Sequence, residues 1–183
     1  MLARNQQVPL AIDLSEVRRR VECSAKELVA EATEAGLTCG CAESCTGGLV
    51  SGAITAVPGS SAVLRGGVVS YAIPIKHEVL GVDNAILDDP ALGAVSRECA
   101  RQMCEGARRL LGCDIAVSVT GIAGPGGEEP QKPVGTVWLG CATRTGTIET
   151  LRHFDGDREL VRMQAVEVAL SLIREAIVEL TRA

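Results

Sequence analysis

The sequence predicts an α/β protein: a single three-layer α/β/α domain around a mixed, mostly parallel sheet of about five or six strands. Three observations carry this prediction. Stretches with helical spacing of apolar residues alternate with short apolar runs along most of the chain. The 183 residues suffice for one domain with a substantial core. With one Trp, one Tyr and one Phe, that core must be built from Ala, Val, Leu and Ile, which suit closely stacked layers. Hydrophobic residues make up 46% and charged residues 22%, proportions ordinary for a globular protein.

Residues 1–12 show no strong periodicity and are expected to form a flexible N-terminal leader, with the domain spanning 13–183. Asp13 or Ser15 caps the first helix, which runs to about Ala35. Val17, Val21, Ala25, Leu28, Val29 and Ala32 recur at helical spacing, and Gly36 is placed to stop it. Residues 37–42 read as a buried strand. A second helix starts near Thr46 and runs through Leu49, Ile54 and Ala56 to the Pro58-Gly59 turn, after which 67–73 reads as a strand. Residues 74–80 form a short helix or turn, and a polar connection passes Asp83 and Asp88-Asp89-Pro90. A helix over 96–111 follows, with Val95, Cys99, Met103, Ala107, Leu110 and Leu111 as its apolar stripe. Gly112 ends it and Asp114 opens the strand 115–119. The glycine-rich loop 121–127 comes next. Residues 135–143 and 148–154 read as an antiparallel pair joined at Thr145-Gly146, and the last helix spans about 158–181. There is no internal repeat.

A net charge of −5, with arginines scattered along helices, argues against a nucleic-acid partner, because phosphate binding relies on clustered cations. No apolar stretch reaches the roughly 20 residues of a membrane span, and no basic region followed by an apolar run opens the chain. A cytoplasmic protein with reduced thiols is expected, without membrane association. The eight cysteines fall where core strands and helices are predicted and read mainly as small buried hydrophobes. No Cys-x-x-Cys pair occurs and the only histidines are His77 and His153, so a zinc site would have to be assembled from distant pieces.

The stretch Ala42-Glu43-Ser44-Cys45-Thr46-Gly47-Gly48 carries the chemistry. An apolar run feeds Ser44 to the start of a helix, where N–H groups of the first turn lack partners and could stabilise negative charge. Ser44 is therefore a candidate nucleophile, and a plain helix cap is the alternative. No glycine precedes it as in the α/β-hydrolase elbow, and no histidine is placed to complete a triad. A desolvated lysine is the other base able to activate serine. Lys76 follows the strand 67–73 and reaches the same edge as Ser44 if the two strands are parallel. Tyr71, in that strand, could relay a proton or orient Lys76. A half-buried tyrosine and a surface lysine are the alternative reading. Glu43 reads as a structural hydrogen-bonding residue.

Several motifs occur in one order: Ala42-Glu43-Ser44-Cys45-Thr46-Gly47-Gly48, Pro58-Gly59-Ser60-Ser61, Gly67-Val68-Val69-Ser70-Tyr71, Leu80-Gly81-Val82, Gly93-Ala94-Val95-Ser96, Gly121-Ile122-Ala123-Gly124-Pro125-Gly126-Gly127, Lys132-Pro133-Val134-Gly135-Thr136-Val137 and Gly156-Asp157-Arg158. Over residues 15–180 the chain resembles the CinA C-terminal domain family, in its stand-alone nicotinamide-nucleotide amidohydrolase form. The resemblance implies deamidation of nicotinamide mononucleotide to nicotinate mononucleotide and ammonia in pyridine-nucleotide salvage, with no cofactor and no metal. It implies Ser44 as nucleophile with Lys76 and Tyr71 as the activating pair, and N–H groups near Thr46, Gly47 and Gly48 around the oxyanion. It further implies Thr120, Gly121 and Gly124 as pocket lining and Arg158 as a phosphate or carboxylate clamp. A plain connecting loop and a surface ion pair of Arg158 with Asp155 or Asp157 are the alternatives. Homo-oligomerisation is a family-level expectation, with 135–154 as the surface. Where the family usually reads Ser-Asn-Glu-Ala-Lys, this chain has Ala72-Ile73-Pro74-Ile75-Lys76. A catalytically silent nucleotide-binding or regulatory protein linked to competence or damage, and an amidase for another small amide, are the competing readings.

Overall fold

The computed structural model describes residues 12–182, so the leader expected over 1–12 lies, apart from Ile12, outside the described residues. Asp13 caps α1 (Leu14–Ala35) by accepting from the Ser15 N–H at 3.0 Å, and Gly36 closes it in a left-handed conformation. There follow β1 (Cys39–Glu43), α2 (Leu49–Thr55), a single 3-10 turn (Ser60–Ala62), β2 (Leu64–Val69) and α3 (Ile73–Leu80). Then come α4 (Asn84–Leu87), α5 (Arg97–Leu111), β3 (Ile115–Gly121), β4 (Thr136–Ala142), β5 (Thr147–His153) and α6 (Arg158–Arg182).

The five strands form one sheet in the order β2-β1-β3-β4-β5. β1 pairs in parallel with β2 and β3, β4 is antiparallel to β3, and β5 is antiparallel to β4. Four strands therefore share one direction and only β4 opposes them, the mixed and mostly parallel sheet expected. Alternation along β3 separates two layers of helices. Ile115, Val117 and Val119 join Cys39, Cys41, Val137 and Leu139 against α1, α2 and α6. Ala116 and Ala42 face the other way, packed with Leu80, Met103 and Ala107 of α3 and α5. On that second face Ser118 is fully buried yet satisfied, donating to the Ala100 carbonyl at 2.6 Å and accepting from the Gly140 N–H at 3.1 Å.

Two sequence expectations shift. The second strand lies at Leu64–Val69 rather than 67–73. Gly66-Gly67 breaks the apolar run, yet it belongs inside the strand because a Cβ on Gly67 would lie 2.1 Å from Ser51 Oγ of α2. The chain leaves the sheet after Ser70, and Pro74 sits in the first turn of α3, where its missing N–H costs nothing. Leu110 is exposed rather than part of the α5 stripe. Leu111 takes the place at the helix end, over Gly40 and Gly66.

Seven cysteines are buried, and Cys23 is exposed on α1. Burial pushes the thiols up, to about 11 at Cys45 and Cys99 and to about 12 at Cys39 and Cys104, so they pack as neutral apolar groups. Among the described residues no helix is long and apolar enough to cross a membrane.

Candidate active site

The parallel strands β2, β1 and β3 end at one edge of the sheet. The β1-to-β2 connection passes over one face through α2, and the β2-to-β3 connection crosses the other through α3, α4 and α5. The crevice left where connections diverge is the usual ligand position in open α/β sheets. The turn Ser44-Cys45-Thr46-Gly47-Gly48 lies there. Gly47 and Gly48, with φ of 60° and 97°, turn the chain from β1 into α2 through a conformation that residues with a Cβ rarely adopt.

Glu43, the last residue of β1, is fully buried. Its carboxylate accepts from the N–H groups of Gly48 (2.9 Å), Val50 (3.1 Å) and Ser51 (2.9 Å) and from Ser51 Oγ (2.8 Å). The start of α2 is thus occupied by the protein's own anion. This corrects the expectation that first-turn N–H groups of the helix face the nucleophile. Gly48 donates to Glu43, and the Gly47 N–H donates to the Ser44 carbonyl at 3.1 Å, so neither is available as an oxyanion donor. Among the described residues the Cys45 and Thr46 N–H groups make no hydrogen bond to another residue, and Thr46 Oγ1 is a buried hydroxyl with no partner.

Ser44 Oγ lies 2.9 Å from Lys76 Nζ, which also donates to the Ser70 carbonyl at 2.5 Å. Lys76 projects from α3 and is 1% exposed, the largest fully buried side chain among the described residues. No carboxylate pairs with it among the described residues. Burial lowers its pKa, and the nearby thiols of Cys99 and Cys45 oppose that shift only in part. A neutral amine suits these surroundings. It can donate one hydrogen to Ser70 and offer its lone pair to the Ser44 hydroxyl. The departure at Ala72-Ile73-Pro74-Ile75 leaves this contact intact, because Ala72 caps and Ile73, Pro74 and Ile75 open the helix that carries Lys76 inward, with the Ile73 side chain exposed.

The remaining sequence candidates fall into two groups. Tyr71 lies just outside β2 and is exposed; its hydroxyl accepts from Arg158 Nη2 at 3.2 Å and makes no hydrogen bond to Lys76 or Ser44. Arg158 Nη1 donates to the Gly124 carbonyl at 2.7 Å, so Tyr71, Arg158 and the glycine-rich loop meet at the rim of the site. Among the described residues Arg158 has no carboxylate partner, and Asp157 instead accepts from the Leu160 N–H at 2.9 Å at the start of α6. Thr120 is buried and donates to the Ala94 carbonyl at 2.6 Å. This ties β3 to the segment ahead of α5, so the hydroxyl expected to line the pocket is engaged structurally. Gly121 ends β3.

Two participants were missed. The Ser70 carbonyl anchors Lys76, a backbone role no residue type signals. Arg162 donates from Nε to the Cys45 carbonyl and from Nη2 to the Thr46 carbonyl, each at 2.9 Å. Its spacing of four from Arg158 on a helix was the available clue. Among the described residues, no group of three or more His, Cys, Asp or Glu side chains is placed to hold a metal ion.

A model of the CinA C-terminal domain matches residues 21–177. The chain is 49% identical over 139 residues to the nicotinamide-nucleotide amidohydrolase PncC of Enterobacter agglomerans, covering 75% of this chain and 84% of that protein. It is 53% identical over 135 residues to a CinA-like protein of Anaeromyxobacter sp. (strain K), covering 74% of this chain but 33% of that one. The chain thus spans about a third of the length of the CinA-like relatives it matches. Among solved structures, the competence/damage inducible protein CihA of Agrobacterium tumefaciens superposes with a TM-score of 0.81 at 41% identity, covering 86% of this chain and 95% of that one. A CinA superfamily protein of Klebsiella pneumoniae gives 0.82 at 33% identity, covering 87% and 98%.

Proposed function

The chain belongs to the CinA C-terminal domain family, and from that premise we propose that it is a serine amidohydrolase that deamidates nicotinamide mononucleotide in pyridine-nucleotide salvage. One observation carries the chemistry: a buried lysine with no carboxylate partner among the described residues, hydrogen-bonded to a serine hydroxyl at the carboxyl ends of parallel strands. The likeness to the Enterobacter agglomerans amidohydrolase supports the substrate.

In the proposed reaction Ser44 Oγ attacks the carboxamide carbon while its proton passes to neutral Lys76. The Cys45 and Thr46 N–H groups receive the oxyanion. Collapse breaks the C–N bond as Lys76 returns the proton to the leaving nitrogen, which departs as ammonia. Water then attacks the acyl-enzyme, giving a proton to Lys76, and the second collapse frees the carboxylate and restores the Ser44 hydroxyl. Arg158, held by Tyr71 and the Gly124 carbonyl and with no carboxylate partner among the described residues, is suited to the substrate phosphate at the rim. Tyr71 acts by orienting Arg158 rather than by relaying the proton. We place this activity in the cytoplasm, in a homo-oligomer that would use the exposed Ile148 and Leu151 on the edge strand β5.

Ammonia release from nicotinamide mononucleotide tests the reading. Turnover by the unmodified protein that disappears in Ser44→Ala and falls by roughly 10²–10⁴-fold in Lys76→Met is expected. Saturable binding of the nucleotide without ammonia would overturn it in favour of a silent binding protein. Equal turnover of unrelated small amides would overturn the substrate assignment.

A further inference from the structure

We propose that Arg162 is a positioning residue that aligns and polarises the Cys45 and Thr46 N–H groups as the oxyanion hole for Ser44. The inference rests on the reading of Ser44 as nucleophile and adds the device that builds its electrophilic partner.

The two hydrogen bonds of Arg162 enter a short relay of peptide groups. A trans peptide is planar, so its C=O and the following N–H point in opposite directions, and the only cis peptide among the described residues is Gly124-Pro125. Arg162 Nε holds the Cys45 carbonyl, which aims the Thr46 N–H away from the guanidinium. Nη2 holds the Thr46 carbonyl, and the N–H of that same peptide, on Gly47, donates to the Ser44 carbonyl. The peptide of the Ser44 carbonyl carries the Cys45 N–H. Both N–H groups, which among the described residues bond no other residue, therefore stand at the end of a chain that begins on one cation: Thr46 through one peptide, Cys45 through two.

Each link does two things. It fixes a peptide plane, so the donors are oriented before the reaction and need not reorganise during it. It also draws electron density toward the guanidinium, which strengthens the next donor along the chain by roughly 10–30% per bond. The position of Arg162 is itself fixed, since its neighbours Val161 and Ala165 on α6 are buried in the core. Among the described residues no carboxylate pairs with Arg162, so its charge acts on the turn undivided. Lysine could reach one of these carbonyls but not both in a fixed fork.

The test reads Ser44 reactivity directly. A fluorophosphonate probe forms a bond from Ser44 Oγ to phosphorus as fluoride leaves and Lys76 takes the hydroxyl proton, and intact-mass measurement follows the rate. Arg162→Gln is expected to slow labelling, and kcat for ammonia release, by about 10–100-fold, less than deletion of an oxyanion donor in full because the donors are misaligned and not removed. KM for nicotinamide mononucleotide should change less than about threefold. Arg162→Lys should retain an intermediate rate, and carries the test if the Gln variant does not fold. Added guanidinium should restore part of the labelling rate in Arg162→Ala, which a merely structural role does not predict. Unchanged labelling in Arg162→Gln overturns the inference, as does a raised KM with kcat preserved, the pattern of a ligand clamp. Labelling that depends on Arg162 in a protein that does not deamidate the mononucleotide upholds the inference while removing the substrate reading. Absence of Ser44 labelling in the unmodified protein overturns both.

Discussion

Replacing Lys76 with methionine separates the chemistry of its amine from the volume it fills. The side chain is 1% exposed, touches Ser44 Oγ and the Ser70 carbonyl, and has no carboxylate partner among the described residues. Its folded pKa lies below the ordinary 10.5, with burial as the largest cause. Between those two pKa values the unfolded chain binds a proton at this site that the folded protein does not. Stability therefore rises with pH across that window, with a limiting slope of about 1.4 kcal/mol per pH unit. Lys76→Met removes the term. Urea unfolding of both proteins at several pH values up to 10.5 should show the unmodified protein gaining stability relative to the variant as pH rises. The buried thiols act in the opposite direction, because their folded pKa values are raised, and this contribution is common to both proteins and largely cancels in the difference. Ammonia release should fall by roughly 10²–10⁴-fold in the variant, the range for loss of a general base. In the unmodified protein kcat/KM should rise with pH as Lys76 loses its proton. Parallel stability–pH curves for the two proteins would refute the reasoning, since they would mean that Lys76 stays charged in the fold.

Glu43→Ala leaves four donors unpaired at the start of α2. A loss of about 3–5 kcal/mol is expected, read as a Tm lower by roughly 10 °C in thermal unfolding, with Glu43→Gln milder. Arg158→Ala should raise KM for nicotinamide mononucleotide by about tenfold or more while leaving kcat within a few-fold, and should not change KM for nicotinamide riboside, which lacks the phosphate. Steady-state kinetics on the two substrates check this. Cys23 is the exposed thiol. Titration with a disulfide reagent should find one fast-reacting group in the native protein, absent in Cys23→Ser, and the remaining thiols only after unfolding.

Much of the architecture was legible because local rules and packing agree. Asp13, Gly36, Ser96 and Gly112 bound their helices where capping chemistry places them. The apolar positions of α1 are the ones that are buried. The reading slipped where a neighbour decides the matter. The second strand reads as 67–73 until pairing with β1 is seen to hold Leu64–Val69 in the sheet, and Leu110 reads as core until Leu111 takes the place over Gly40. At the site, the proximity of Ser44 and Lys76 follows from parallel pairing of β1 with β2, a relation the sequence suggested as a condition. The partners of Tyr71 and Thr120 did not follow. Each of these hydroxyls meets a group from a distant segment, Arg158 and the Ala94 carbonyl.

By itself the sequence determined the fold class and the order of its elements, and it singled out a serine after one strand and a lysine beyond the next as candidates, because periodicity, caps and strand ends are local properties of a chain. Only the tertiary structure decided which N–H groups around Ser44 are already engaged and which are not. Glu43 consumes those at the start of α2, the Ser44 carbonyl consumes that of Gly47, and Arg162 reaches the turn from 116 and 117 residues away. Hydrogen bonds to backbone carbonyls leave no mark in residue type, so the orientation of the peptides beside the nucleophile emerges only when α6 packs against the turn.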